Sequence, residues 1–320
     1  PVDTPTKGVY IAGAAESPKD VRESVTQASA ASSRASILLN KNRFAVEAIT
    51  AAVDEDLCKK CGQCAAVCPF GAITWHKGEV AHVVTAACAG CGTCAAECKF
   101  DAIHMRHFSD QAIYAQLDAI LDQDPGNKIV TFACNWCSYA GADTAGVGRM
   151  AYPPNARIIR TMCSGRVNPE FVWYAFKKGA PVVLISGCHY VDCHYIDANR
   201  STVRRLDGLW DGLEKAGLRP ERLLLEWCSA AEGARWQTIM KEAEKKRQSV
   251  AAEEIEQTRS LLAQARVPGP RNPKESDEKQ DAEFACVRCG HHWQGYYSAN
   301  MERICPECRS NSVRWLKRAR

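Results

Sequence analysis

Cysteine is the residue type whose number and spacing in this chain point most directly to chemistry. Eighteen of the 320 residues are cysteine. Eight fall into two runs, Cys58-x2-Cys61-x2-Cys64-x3-Cys68 and Cys88-x2-Cys91-x2-Cys94-x3-Cys98. Four more form two pairs near the end, Cys286-x2-Cys289 and Cys305-x2-Cys308. Five lie between Cys134 and Cys193, at positions 134, 137, 163, 188 and 193, and Cys228 stands apart. Thiolates at such intervals are metal ligands. Disulfide scaffolds of this density belong to short secreted chains, and 320 residues is not short. The spacing therefore argues for a reducing, cytoplasmic compartment in which the thiols hold metal.

In each of the first two runs, three closely spaced thiolates on a tight loop can cap three irons of a cubane cluster, with Gly62, Gly90 and Gly92 easing the backbone. The fourth ligand must come from farther away. Zinc sites instead use two separated pairs. Gly71-Ala72-Ile73 and Asp101-Ala102-Ile103 repeat behind the runs, the mark of an internal duplication. The pattern resembles the bacterial two-cluster ferredoxin. That resemblance implies crossed ligation, with Cys58, Cys61, Cys64 and Cys98 on one [4Fe–4S] cluster and Cys88, Cys91, Cys94 and Cys68 on the other. There is one departure: Pro69 follows Cys68, but Lys99 follows Cys98 where the family has a second proline.

The elements that would position the five middle cysteines read as alternating helices and strands. Ser109 can cap a helix with Ile113, Leu117, Ile120 and Leu121 on one stripe. Residues 128–132, 157–160, 182–185 and 223–225 are buried-strand runs. Asn168-Pro169 opens a helix that Gly179 stops, and a further helix over about 200–216 carries Leu206, Leu209 and Leu213 before Gly217. Such alternation predicts a largely parallel sheet with right-handed crossovers. A cysteine follows each strand (Cys134, Cys163, Cys188, Cys228), and sites in open parallel sheets form beyond the carboxyl ends of the strands. Cys228 lies outside the main constellation and reads as a small buried hydrophobe.

Cys134-Asn135-Trp136-Cys137-Ser138-Tyr139 and Gly187-Cys188-His189-Tyr190-Val191-Asp192-Cys193-His194 resemble the delta subunit of methyl-viologen-reducing hydrogenase. The likeness covers about residues 125–240 and takes in Tyr152-Pro153-Pro154 and Glu226-Trp227-Cys228-Ser229. It implies a [2Fe–2S] domain passing electrons between a hydrogenase or formate dehydrogenase and heterodisulfide reductase. Four of Cys134, Cys137, Cys163, Cys188 and Cys193 would then be ligands. Cys193, five residues past Cys188 in a loop, is the expected spare; a Cys188/Cys193 pair that releases Cys163 is the alternative. Other readings of the same residues are a thioredoxin-like Cys134-x2-Cys137 pair, a zinc site, and His189 or His194 as Rieske-type ligands. The Gly-rich stretch 141–148 lacks a Walker lysine and a full G-x-G-x-x-G, so no nucleotide site is read from it.

The two ends read differently. Residues 8–39, with Gly8-Val9-Tyr10-Ile11-Ala12-Gly13 and a Ser/Ala-rich helix from about Pro18, resemble the end of the flavin domain in the flavin-bearing subunit of heterodisulfide reductase, where a ferredoxin module also follows. No dinucleotide-binding glycine motif remains, which places any FAD on a neighbouring subunit or a missing part. The absent initiator Met agrees with a processed or truncated chain. After a charged helix over about 232–266 and a Pro/Gly/charge linker over 267–280, Cys286, Cys289, Cys305 and Cys308 have the spacing of a zinc ribbon, with rubredoxin-type iron as the rival. Trp293, Tyr296 and Tyr297 are its expected core, and His291 and His292 its solvated surface.

The resulting organisation is multidomain, α/β and α+β: 1–50, a flavin-domain tail; 51–108, the ferredoxin module; 109–240, the parallel-sheet [2Fe–2S] domain; 241–280, helix and linker; 281–320, the zinc ribbon. A net charge of +4 gives no electrostatic reason for a nucleic-acid or anionic-membrane partner, and no apolar run is long enough to span a bilayer. No paired carboxylates or nucleophile–base set stands out. The expected role is an iron–sulfur electron-transfer subunit with two [4Fe–4S] clusters, one [2Fe–2S] cluster and Zn2+, relaying electrons between a hydrogenase or formate dehydrogenase and a heterodisulfide-reductase-like flavin/iron–sulfur complex. A redox sensor or scaffold using the zinc ribbon to bind partners is the alternative.

Overall fold

The computed structural model describes residues 2–4, 8–41, 49–268, 280–298 and 300–316. Residues 1–48 and 49–320 form two compact units. In the first, Asp3 bridges Tyr10, and α1 (Val21–Leu39) opens with a capping box. Asp20 accepts from the Glu23 N–H and the Glu23 carboxylate reaches back to the Asp20 N–H.

The second unit begins with a duplicated motif: β1 (Ala51–Val53), α2 (Gln63–Ala66), β2 (Ile73–Thr74), β3 (His82–Val83), α3 (Thr93–Glu97) and β4 (Ile103–Met105). β1 pairs antiparallel with β4 and β2 with β3, enclosing Ala51, Ile73, Ala81, Ala95, Ile103 and Met105. Backbone freedom is needed at Gly90. Its φ is +76°, and a Cβ there would run into the Ile49 carbonyl oxygen.

The elements that follow are α4 (Asp110–Leu121), β5 (Ile129–Cys134), α5 (Ser138–Val147), β6 (Ala156–Thr161), α6 (Pro169–Lys177), β7 (Val182–Gly187), α7 (Ala198–Lys215), β8 (Leu223–Trp227), α8 (Gly233–Gln248) and α9 (Ala252–Gln264). The four strands form a parallel sheet in the order β6-β5-β7-β8. Alternate residues of each strand serve opposite faces. Val130, Phe132, Val183, Ile185, Leu223 and Leu225 pack on α4, α6 and α7. Ile129, Ala133, Val182, Leu184 and Leu224 pack on α5 and α8 through Ala142, Trp236 and Met240. Because both faces are covered, β5, β7 and β8 read as nearly continuous apolar runs, while the edge strand β6 carries Arg157 and an exposed Arg160. The expected single helix over 232–266 is two helices. α8 ends at Gln248 with Ser249 as its C-cap, and Val250 and Ala251 break the pattern before α9 begins.

The tail is a three-stranded antiparallel sheet, β9 (Gln280–Cys286), β10 (His292–Tyr297) and β11 (Val313–Leu316), in the order β10-β9-β11. Its core is Phe284, Ala282, Cys286, Cys305 and Val313, with Trp293 and Trp315 against them. Tyr296, expected inside, is 65% exposed because the pleat turns it outward when Trp293 faces in. The Tyr297 side chain and most of the expected linker over 267–280 lie outside the described residues. His291 is half-buried and stacks on Trp293.

Candidate iron–sulfur centres

The sheet winds from β5 to β6 on one side and then returns to β7 on the other. That reversal opens a crevice beyond the carboxyl ends of β5 and β7, where sites form in open α/β sheets. Cys134 ends β5 and Cys188 follows β7, and their sulfurs lie 3.7 Å apart. Cys163, after β6, lies against Cys134 and Cys193, and Cys188 against Cys134, Cys137 and Cys193. The five thiols thus gather in two adjoining packed groups, Cys134, Cys137 and Cys188 in one and Cys163 in the other, with Cys193 against both. Cys193 is drawn in because the short turn 190–192 folds its loop back and the next two residues pack on Trp136. His194 stacks on that indole at 3.8 Å between centroids, and the Trp136 Nε1–H donates to the Tyr195 hydroxyl at 2.8 Å. Cys137 joins the group through Cys188. Cys228, the fourth strand-end cysteine, is in the apolar core with α5 and α8.

His189 is held between two carboxylates, Nδ1 at 2.9 Å from Glu302 and Nε2 at 3.0 Å from Glu232. Hydrogen bonding to Glu302 outweighs burial and, with Glu232, raises its pKa to about 8. Both ring nitrogens being occupied, this histidine is a poor candidate for iron.

Cys58, Cys61, Cys64 and Cys98 surround one cavity, whose wall also includes Val53, Ala81, Phe100 and Ile103 with Lys59 and Gln63. Burial pushes the Cys64 thiol up to about 11, and the neighbouring Cys61, Cys98 and Cys58 add to the effect. Burial likewise lifts Cys94 well above the ordinary thiol range, with Cys91, Cys88 and Cys68 around it. Four thiols gathered this closely resist ionising together unless a strongly positive core neutralises them, and a cubane of iron supplies that charge. The donor sets fit [4Fe–4S] clusters with the fourth cysteine crossed between runs.

The two regions adjoin. Cys91, Cys163, Tyr195 and Ala198 form a single buried cluster, with Phe70 and Trp136 packed on it. Phe70 meets the Tyr195 ring edge-on at 6.2 Å. The backbone at this joint is close, since a Cβ on Gly165 would press on the Thr93 hydroxyl and the Ala198 carbonyl. Sequence reasoning missed Tyr195; an aromatic two residues past Cys193 carries no spacing signal.

In the tail, the sulfurs of Cys286, Cys289, Cys305 and Cys308 all lie within 4.8 Å of one another. Cys286 and Cys308 are 3.6 Å apart and Cys289 and Cys305 3.7 Å. Four sulfurs about 2.3 Å from a central ion sit roughly 3.8 Å apart, so the set suits a tetrahedral metal.

Fold and thiol geometry together define an iron–sulfur electron-transfer protein. Residues 129–250 match the family model of the methyl-viologen-reducing hydrogenase delta subunit, and residues 51–74 match the 4Fe-4S binding domain. The iron-sulfur subunit of the F420-non-reducing hydrogenase vhc of Methanococcus voltae is 55% identical over 113 residues, 35% of this chain and 78% of that protein. The F420-non-reducing hydrogenase iron-sulfur subunit of Archaeoglobus profundus is 46% identical over 115 residues, 36% of this chain and 84% of that protein. The chain therefore belongs to the hydrogenase delta-subunit family, here joined to a ferredoxin part. One subunit of the ferredoxin/F(420)H(2)-dependent CoB-CoM heterodisulfide reductase of Methanosarcina acetivorans is similar too, 45% identical over 243 residues, 76% of this chain. The chain spans 30% of the length of that relative. No described helix is long and apolar enough to cross a membrane.

Proposed function

We propose that this chain relays electrons between a hydrogenase- or formate-dehydrogenase-type partner and a heterodisulfide-reductase-like complex whose flavin lies on a neighbouring subunit or domain. Cys58, Cys61, Cys64 and Cys98 hold one [4Fe–4S] cluster, and Cys68, Cys88, Cys91 and Cys94 the other. A [2Fe–2S] cluster sits among the five thiols. The observation that carries the relay is the shared apolar cluster of Cys91 and Cys163, which puts a ligand of the second cubane beside a ligand of the [2Fe–2S] centre. Four of the five supply its ligands: Cys134, Cys137 and Cys188 pack as one buried group with Cys193 against it, and Cys163 lies in the adjoining one. Zinc occupies the tail cysteines. None of the eighteen cysteines pairs in a disulfide, which suits a reducing cytoplasmic setting.

Iron and sulfide analysis with a potentiometric titration of the anaerobically prepared chain tests the reading. A graded ladder of potentials from three centres is expected. A single labile, exposed cluster would overturn the relay in favour of a redox sensor.

A further inference from the structure

Among the described residues the outer edge of β8 has no neighbouring strand in the sheet, yet its backbone is satisfied by the tail. Ser312 Oγ accepts from the Leu225 N–H at 2.9 Å and donates to the Leu225 carbonyl at 2.8 Å. Asn311 Oδ1 accepts from the Trp227 N–H at 3.2 Å. Glu226, buried between them, takes hydrogen bonds from the Ser310 hydroxyl and the Asn311 N–H. On the other side of the Cys305–Cys308 turn, Arg303 forms a two-pronged ion pair with the fully buried Asp207 at 2.8 and 2.9 Å. Both arms of one cysteine turn are thus clamped to the α/β region, one to β8 and the other to α7. A buried edge strand and a buried carboxylate each demand such partners.

Glu302 is the residue through which this clamp reaches the five-thiol site. One carboxylate oxygen meets His189 Nδ1 at 2.9 Å and also accepts from Asn311 Nδ2 at 2.9 Å. The other accepts from the Tyr190 N–H at 3.2 Å. His189 and Tyr190 directly follow Cys188 and lead into Cys193. Asn199 holds the same stretch from inside, donating to the Cys188 and His189 carbonyls at 3.0 and 3.1 Å.

We infer that the tail metal site is an outer brace of the five-thiol centre, with Glu302 as the positioning residue that transmits it. Metal at Cys286, Cys289, Cys305 and Cys308 orders the turn from which Glu302 and Asn311 project, and these fix the backbone carrying Cys188 and Cys193. Groups one shell out from metal ligands set ligand orientation and cluster retention. The inference rests on the reading of the five thiols as a [2Fe–2S] centre.

The test uses the full chain, prepared anaerobically with iron and zinc supplied, as wild type, Glu302→Ala, Glu302→Gln and Cys305→Ser. Zinc content, the EPR signal of the reduced [2Fe–2S] cluster, its midpoint potential and its rate of loss to a chelator are measured. Glu302→Ala should keep its zinc and both [4Fe–4S] clusters while the [2Fe–2S] signal and potential shift and the cluster is lost about tenfold faster. Glu302→Gln, which keeps an acceptor for Tyr190, should recover part of that. Cys305→Ser should lose zinc and reproduce the Glu302→Ala change. A Glu302→Ala chain with native signal, potential and cluster lifetime would overturn the brace. Cys305→Ser that keeps full zinc would overturn the role of the metal, even if Glu302→Ala shifts the cluster. A wild-type chain without a [2Fe–2S] signal would overturn the five-thiol reading and the brace with it.

Discussion

Glu97 and Arg205 meet in a buried ion pair: Oε1 and Nη1 lie 2.6 Å apart, with side-chain exposures of 3% and 1%. Glu97 ends α3, between Cys94 and Cys98, while Arg205 stands on α7 and also donates to the Gly165 carbonyl at 2.6 Å. One arginine therefore ties a helix of the ferredoxin part to the turn that follows Cys163. Its neighbour Arg166 reinforces the joint by reaching Asp110 and the Phe108 carbonyl.

Breaking that pair should be costly, because the surviving charge stays buried. Arg205→Ala is expected to destabilise the chain by about 3–5 kcal/mol. Replacing both partners, Arg205→Met with Glu97→Gln, should recover most of the loss, since a neutral pair leaves no uncompensated charge. Anaerobic chemical denaturation followed by cluster absorbance measures both. An unchanged midpoint for Arg205→Ala would show that the pair does not anchor the joint.

Tyr195 tests the contact between centres. Tyr195→Phe removes only the hydrogen bond from Trp136 and should cost about 0.5–1.5 kcal/mol. Tyr195→Ala deletes the ring that packs with Phe70 beside Cys91 and Cys163, leaving a cavity that costs about 3–5 kcal/mol. Electron exchange between the second [4Fe–4S] and the [2Fe–2S] cluster, followed by freeze-quench EPR, should be near native in Tyr195→Phe and several-fold slower in Tyr195→Ala. Equal rates in the two variants would place the path elsewhere.

Lys99 gives a prediction about potential. It adds a positive charge and a backbone N–H next to Cys98, where the ferredoxin pattern has proline. Both favour the more negative reduced form of the cluster on Cys58, Cys61, Cys64 and Cys98. Lys99→Pro should lower one [4Fe–4S] midpoint and leave the other nearly unmoved in a potentiometric titration. If neither moves, charge at this position is not what separates the two potentials.

Much of the α/β region could be read in advance because β5, β7 and β8 are short, largely apolar runs buried on both faces, and α4 and α6 each open on a side-chain cap, Ser109 accepting from the Ala112 N–H and Asn168 from the Glu170 N–H. The cysteine runs were legible for a different reason: ligand spacing is a covalent constraint that survives in the sequence. The tail's attachment was not legible. Glu302, Arg303, Asn311 and Ser312 look like solvated turn residues, and nothing local distinguishes them from polar side chains that pair with Glu226, Asp207 or His189 far away in the chain. The break between α8 and α9 was missed because Val250 and Ala251 are not glycine or proline, and charge runs on through it.

The identity of the spare thiol depends on the same distinction between local and long-range information. Sequence separation makes Cys193 look loose, five residues beyond Cys188. In the structure Tyr195 and His194 pack on Trp136 and carry Cys193 against Cys163 and Cys188, and Cys137 packs with Cys134 and Cys188. A [2Fe–2S] cluster needs two thiolates on each iron, so one of the five is left over. The check is a series of single Cys-to-Ser variants of the full chain, read by iron content and by the EPR signal of the reduced cluster. Four of the variants should each lose or distort the signal and one, Cys193→Ser on the order expected from the sequence, should keep it. Signal loss in Cys193→Ser with retention in Cys163→Ser would overturn that order, and an intact signal in both Cys134→Ser and Cys137→Ser would overturn the reading of the domain itself.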